Sequence, residues 1–121
     1  MARIIEGPTR VEAHGNIPKV IEEFIGRVNT GTKDLSVALM NSPAGWEEPG
    51  QTPAFDEFTL VLEGSLTVES KEGKQVVHAG QAIIAPAGEW VRYSSPDEGG
   101  ARYIALCVPA CSPDTVNRDE A

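Results

Sequence analysis

Glu57 is the side chain in this sequence with the clearest chemical potential. It opens Glu57–Leu62 (EFTLVL), a stretch rich in β-forming residues. A carboxyl carried into apolar surroundings keeps its proton or finds a donor. If it keeps the proton near neutral pH, it can act as a general acid or base. Alternation along a strand puts Thr59 and Val61 on the face of Glu57. In Trp90–Ser94 (WVRYS), Tyr93 shares a face with Val91 and offers a phenol. The bland counterpart is a Glu57 satisfied by Arg92, Tyr93 or a backbone amide, which merely orders the fold. Asp56 points the other way and reads as a solvated charge.

Other reactive types are sparse. Cys107 and Cys111 read as reduced thiols, since no basic residue stands beside either in sequence to favour a thiolate. His14 and His78 read as surface residues. Arg92 points outward, and Arg102 and Arg118 read as surface ion-pair partners. Trp46 and Trp90 each stand beside a turn, where an aromatic ring either covers a ligand or covers the core. Trp46 is the one carried forward as a candidate ligand contact.

The elements that must position these groups are short. Twelve glycines and nine prolines punctuate the chain, so strand periodicity should dominate. One helix is expected at Pro18–Gly26, with Asn16 as its cap and an apolar stripe of Ile17, Val20, Ile21, Phe24 and Ile25. Strands are expected at Leu35–Met40, Glu57–Leu62, Ser65–Glu69, Gln75–His78, Ala82–Ala85, Trp90–Ser94 and Arg102–Val108, with turns at Glu63-Gly64 and Lys71–Lys74. This organisation predicts a single all-β domain over residues 1–121. It has an arm and short helix at 1–30, a barrel at 35–108 and an extended, peripheral tail at 109–121.

The chain has 121 residues, enough to bury roughly two-thirds of its unfolded surface. Eighteen acidic against ten basic side chains give a formal net charge of −8. That excess argues against nucleic acid or an anionic membrane surface as partner, because phosphates need a cationic face. No apolar run approaches the ~20 residues of a membrane span, and the first residues lack the apolar core of a secretory signal, so the expected compartment is the cytoplasm.

Two spaced patterns go further. The first is Gly45-x5-Gln51-x-Pro53-x3-Glu57-x6-Gly64, and the second is Gly80-x5-Pro86-x-Gly88-x2-Val91-x3-Ser95. Their spacing resembles the two signature motifs of the cupin family. The resemblance implies a double-stranded β-helix, a jelly-roll barrel whose inward side chains make a pocket. It also implies a metal bound by two histidines and a glutamate of the first motif and a histidine of the second. The corresponding positions here are Gln51, Pro53, Glu57 and Val91. One amide and one carboxylate do not supply the three good donors a transition metal normally takes. No metal ligands and no cofactor are therefore expected.

Inward-facing Gln51, Pro53, Glu57 and Val91 follow from the same resemblance. Parity then adds Thr59, Val61 and Tyr93 to the pocket. One alternate set of Leu35–Met40 brings in Leu39 or Met40, and Met40 is the candidate. The last strand offers either Tyr103, Ala105 and Cys107 or Ile104 and Leu106. The expected function is binding of a small metabolite, with metal-independent isomerisation, lyase or cyclase chemistry on it. Glu57 would transfer the proton and Tyr93 would assist; Gln51, Thr59, Val61, Val91, Met40 and Trp46 would contact the ligand. The alternatives are a non-catalytic binding or sensing module and a metal-dependent enzyme with a reduced ligand set. A homodimer is expected, burying the Ile17/Val20/Ile21/Phe24 stripe.

Overall fold

The computed structural model describes residues 1–119. Nine strands are formed among them: β1 (Thr9–Val11), β2 (Val20–Ile25), β3 (Ser36–Ser42), β4 (Trp46–Glu47), β5 (Asp56–Ser70), β6 (Gly73–His78), β7 (Ala82–Ala85), β8 (Val91–Ser95) and β9 (Ala101–Val108), followed by a one-turn helix α1 (Pro113–Val116). All strand pairs are antiparallel. The jelly-roll expectation is met.

β5 is the spine. Its first half pairs with β9 and β7, and its second half pairs with β8 and β6. The strand thus bends from one sheet into the other, with a register shift between Val61 and Glu63 on the β9 side. Glu63-Gly64, expected as a turn between two strands, is this bend inside one strand. Beyond β9 the first sheet continues through β3 and β2 to β1.

Parity holds where it decides the interior. Along β5, Glu57, Thr59 and Val61 are buried while Phe58, Leu60 and Leu62 are exposed. On β8 the buried set is Val91, Tyr93 and Ser95, and on β9 it is Ala101, Tyr103, Ala105 and Cys107. On β3 the inward set is Ser36, Ala38 and Met40, so Met40 rather than Leu39 turns in. The main core gathers Trp46, Val61, Leu66, Val68, Val77, Val91, Tyr93, Ala101 and Tyr103 toward one end of the barrel.

Two expectations are corrected. Residues 18–26 form no helix: Val20–Ile25 is strand β2, registered Ile21 to Met40 and Glu23 to Ala38. The β-branched residues Val20, Ile21 and Ile25 suit a pleated surface, and the open edge of β3 supplies the hydrogen bonds. The N-terminal residues are therefore part of the sheet rather than an arm, and the apolar stripe is split, with Ile21 turned into the barrel. The tail is not peripheral either. Ala110 is fully buried, and Val116 packs with Phe55 and Cys107 in a second, smaller core.

Candidate functional site

A cavity of about 230 Å³ lies inside the barrel and borders the main core, sharing Tyr93 and Tyr103 with it. β2, β3, β5, β8 and β9 each contribute a wall, and the tail from Cys111 to Arg118 closes one side. Of the expected site residues, Met40, Gln51, Glu57 and Tyr93 meet here. Trp46, Thr59, Val61 and Val91 do not line it. Trp46, Val61 and Val91 belong to the main core, and Thr59 is buried deeper along β5.

Glu57 is 8 % exposed. Burial pushes its carboxyl pKa upward, and the nearby Tyr93 hydroxyl and Lys19 charge pull it back less strongly. Tyr93 Oη is shut off from solvent and completes no well-formed hydrogen bond with any group among the described residues. Burial and the facing Glu57 hold the phenol well above its ordinary pKa, so it stays a donor. The Glu57 carboxyl stands within reach of this hydroxyl, and so loose a pairing leaves hydrogen-bonding capacity for a guest.

Further ionisable groups that strand-and-motif reasoning missed join them, chief among them Lys19, Glu48 and Arg118. Lys19 enters because β2 is a strand, so Lys19, Ile21 and Glu23 alternate inward. Its Nζ donates to Tyr103 Oη at 2.9 Å and lies 3.9 Å from the centroid of the Trp46 ring. Burial lowers its pKa to about 8. Glu48 lies two residues beyond Trp46, on the same inward parity, and burial raises its pKa to about 7 against the pull of Lys19. Arg118 reaches the cavity from the tail and is not the surface ion-pair partner expected. Arg102 is one, 3.5 Å from Glu63, and Arg92 pairs with Glu69 at 2.7 Å. His14 also lines the rim.

Glu23 faces the cavity but has a structural task. Its Oε2 accepts from the amides of Val28 (2.9 Å) and Asn29 (2.8 Å), closing the turn after β2. Cys107 and Cys111 are both free. Cys107 donates toward Cys111, which raises the Cys107 pKa and lowers that of Cys111.

The Glu48 carboxyl makes stability depend on pH. Unfolded it titrates near 4.5 and folded near 7, so between these values only the folded state keeps the proton. Its contribution is full below about pH 4.5 and is lost as pH rises through 7. The two values bound the loss at about 3 kcal/mol, less where water screens this partly exposed group. Denaturation at pH 5 and 7.5 should show a shallower loss of stability in Glu48→Gln than in the parent; an equal loss would refute this.

The positions where the family resemblance puts metal ligands do not fit a transition metal. Gln51 and Glu57 face the cavity, but Pro53 and Val91 have no donor atoms. Among the described residues no three histidine, cysteine, aspartate or glutamate side chains converge.

A family model described as "Cupin domain" matches residues 38–109. Over 101 residues the chain is 39 % identical to a Myxococcus xanthus protein named Endoribonuclease YbeY, covering 84 % of this chain and 34 % of that one. It therefore spans about a third of the length of that curated relative. Among solved structures, the polyketide cyclase RemF from Streptomyces resistomycificus superposes with a TM-score of 0.74 at 20 % identity, covering 100 % of this chain and 87 % of that one. A Streptomyces protein, PAC13, solved with uridine, superposes with a TM-score of 0.73 at 13 % identity, covering 97 % and 88 %. No helix among the described residues is long and apolar enough to cross a membrane.

Proposed function

Because the chain belongs to the cupin-domain family, we propose that it binds a small organic metabolite in the barrel cavity and moves a proton on it without a resident transition metal. Glu57 is the acid–base and Tyr93 the donor that holds the reacting oxygen. One observation carries the reading: inside the cavity, a buried carboxyl biased toward its protonated form faces a buried phenol whose hydroxyl completes no well-formed hydrogen bond among the described residues. A carboxyl whose pKa is shifted toward neutrality can take a proton from carbon and return it, and a neutral phenol can stabilise the developing oxyanion. Isomerisation, cyclisation and elimination of water share this step.

The names of structural neighbours are compatible with a ring-bearing, oxygenated guest, one being a polyketide cyclase and another holding uridine. The net charge and the cavity size argue against extending the ribonuclease name of the longer Myxococcus relative to this chain. An excess of eight negative charges repels a polyphosphate backbone, and the cavity is too small to take one.

A test is open even before the natural substrate is identified. Ring-bearing ketones, acids and alcohols are screened by thermal shift, and the binders are incubated with protein in deuterium oxide. Deuterium entering a carbon position next to a carbonyl is the expected result. Binders that gain no deuterium would make the protein a binding module.

We further propose a homodimer, paired through the outer face of β5, β7 and β9, where Phe58, Leu60, Ile84 and Val108 are 38–65 % exposed. Light scattering should give twice the chain mass, and Ile84→Glu should give the monomer. A monomeric parent would end the idea.

A further inference from the structure

Two cations face the cavity, and among the described residues neither belongs to an ion pair. Among the described residues the ion pairs are Arg92–Glu69 and Arg102–Glu63, both on the outside. Lys19 is at least held by Tyr103 and Trp46. Arg118 is not: its Nε is shut off from water and donates to no group among the described residues. A guanidinium N–H sealed away without an acceptor is costly, and native structures rarely leave one so.

The position of Arg118 is built rather than incidental. Residues 115–119 run beside 50–54 as an added edge. Ala54 N donates to Thr115 O at 2.8 Å, Thr52 N to Asn117 O at 3.1 Å, and Asp119 N to Gly50 O at 2.8 Å. Arg118 itself bridges to Gln51. Trp90, packed against Gly50, fastens the strap through Nε1 to Asp119 Oδ2 at 2.8 Å. Parity along this edge sends Arg118 inward between Asn117 and Asp119.

We propose that the cavity takes a small ring-bearing carboxylic acid and that Arg118, carried across the mouth by this strap, binds its carboxylate. The placement of the reacting end toward Glu57 and Tyr93 rests on the proton-transfer reading, whereas the anion anchor does not. A single guanidinium fork matches one planar carboxylate. A phosphate dianion would want more donors than one guanidinium fork supplies. Tyr93, Tyr103, Phe55 and Met40 supply flat and apolar walls. At about 230 Å³ the space lies below the usual 300–1,000 Å³ of sites for larger ligands, which limits the guest to about one or two rings.

The experiment compares benzoate with benzamide, equal in shape and different in charge. Binding is measured by ligand-observed NMR on the parent, Arg118→Gln and, as a charge-matched control outside the cavity, Arg102→Gln, with melting curves to confirm folding. Benzoate should bind the parent and Arg102→Gln alike, with benzamide about tenfold weaker or worse. Arg118→Gln should lose about tenfold or more for benzoate and little for benzamide, while melting no lower than the parent. Equal binding of the two probes, or undiminished benzoate binding in Arg118→Gln, overturns the anchor and leaves the proton-transfer reading standing. Equal loss of benzoate in both variants overturns it too, because binding would then follow the overall charge of the protein and not a site at Arg118. Failure of both probes on every form counts against the cavity as a site for small ring compounds, and so against both readings.

Discussion

Glu57→Gln is expected to slow deuterium wash-in by about 10²–10⁴-fold, the usual worth of a positioned acid–base group, and at the same time to make the protein more stable. The two effects share a cause. Glutamine keeps the shape and one carbonyl oxygen of the side chain but cannot exchange a proton. Glu57 titrates higher in the folded state than in the unfolded chain, because burial penalises its anion. Its folded form therefore keeps a proton the unfolded chain has lost. Stability from this group is complete below the unfolded pKa and falls as pH rises through the folded one. Glutamine carries no such loss. The melting-temperature gain of Glu57→Gln should be near zero at about pH 4 and grow with pH. A variant that is both slower and less stable at about pH 8 would place Glu57 among the structural residues. A variant that exchanges deuterium at the parent rate would remove it from the chemistry.

Gly64→Ala is expected to be the most damaging small change in the barrel. Gly64 has φ 74°, a conformation that alone costs a residue with a side chain about 1–2 kcal/mol. A Cβ there would also run into the carbonyl oxygen of Gly100. That carbonyl cannot retreat freely: it accepts from Ser65 N at 3.2 Å, and Gly100 itself lies against the Ser42 carbonyl. Three segments meet with no room between backbones. A total cost of about 3–5 kcal/mol follows, or roughly a 12–20 °C fall in melting temperature. Gly80→Ala is the control, since Gly80 has φ 87° but open space around its Cβ position. Urea denaturation should find Gly64→Ala at least about 2 kcal/mol below Gly80→Ala. Equal losses would mean that the backbone contact contributes nothing.

Local chemistry determined much of this molecule. The spacing of Gly45, Gln51, Glu57, Gly64, Gly80, Pro86 and Gly88 carried the resemblance to the cupin family, and the jelly-roll barrel came with that resemblance. The inward set of β5 and β8 was legible because a strand has period two and one buried residue fixes the rest. Glu57 and Val91 were set inward by the family resemblance, and Thr59, Val61 and Tyr93 followed by that rule. The same rule extends to Lys19 once residues 20–25 are known to be a strand. A stripe of Val20, Ile21, Phe24 and Ile25 fits both periods over so short a run, and the deciding factor was the open edge of β3, which lies outside the segment. Glu48 was within reach of parity from Trp46.

Arg118 was not legible at all. Its place depends on hydrogen bonds between residues 115–119 and residues 50–54, and on a tryptophan at position 90. Contacts so far apart along the chain leave no periodic trace in either partner. The sequence by itself determined the barrel and the carboxylate inside it. Tertiary structure alone decided which cations stand opposite that carboxylate, because they arrive on an edge strand and a tail whose conformations are chosen by the surfaces they land on.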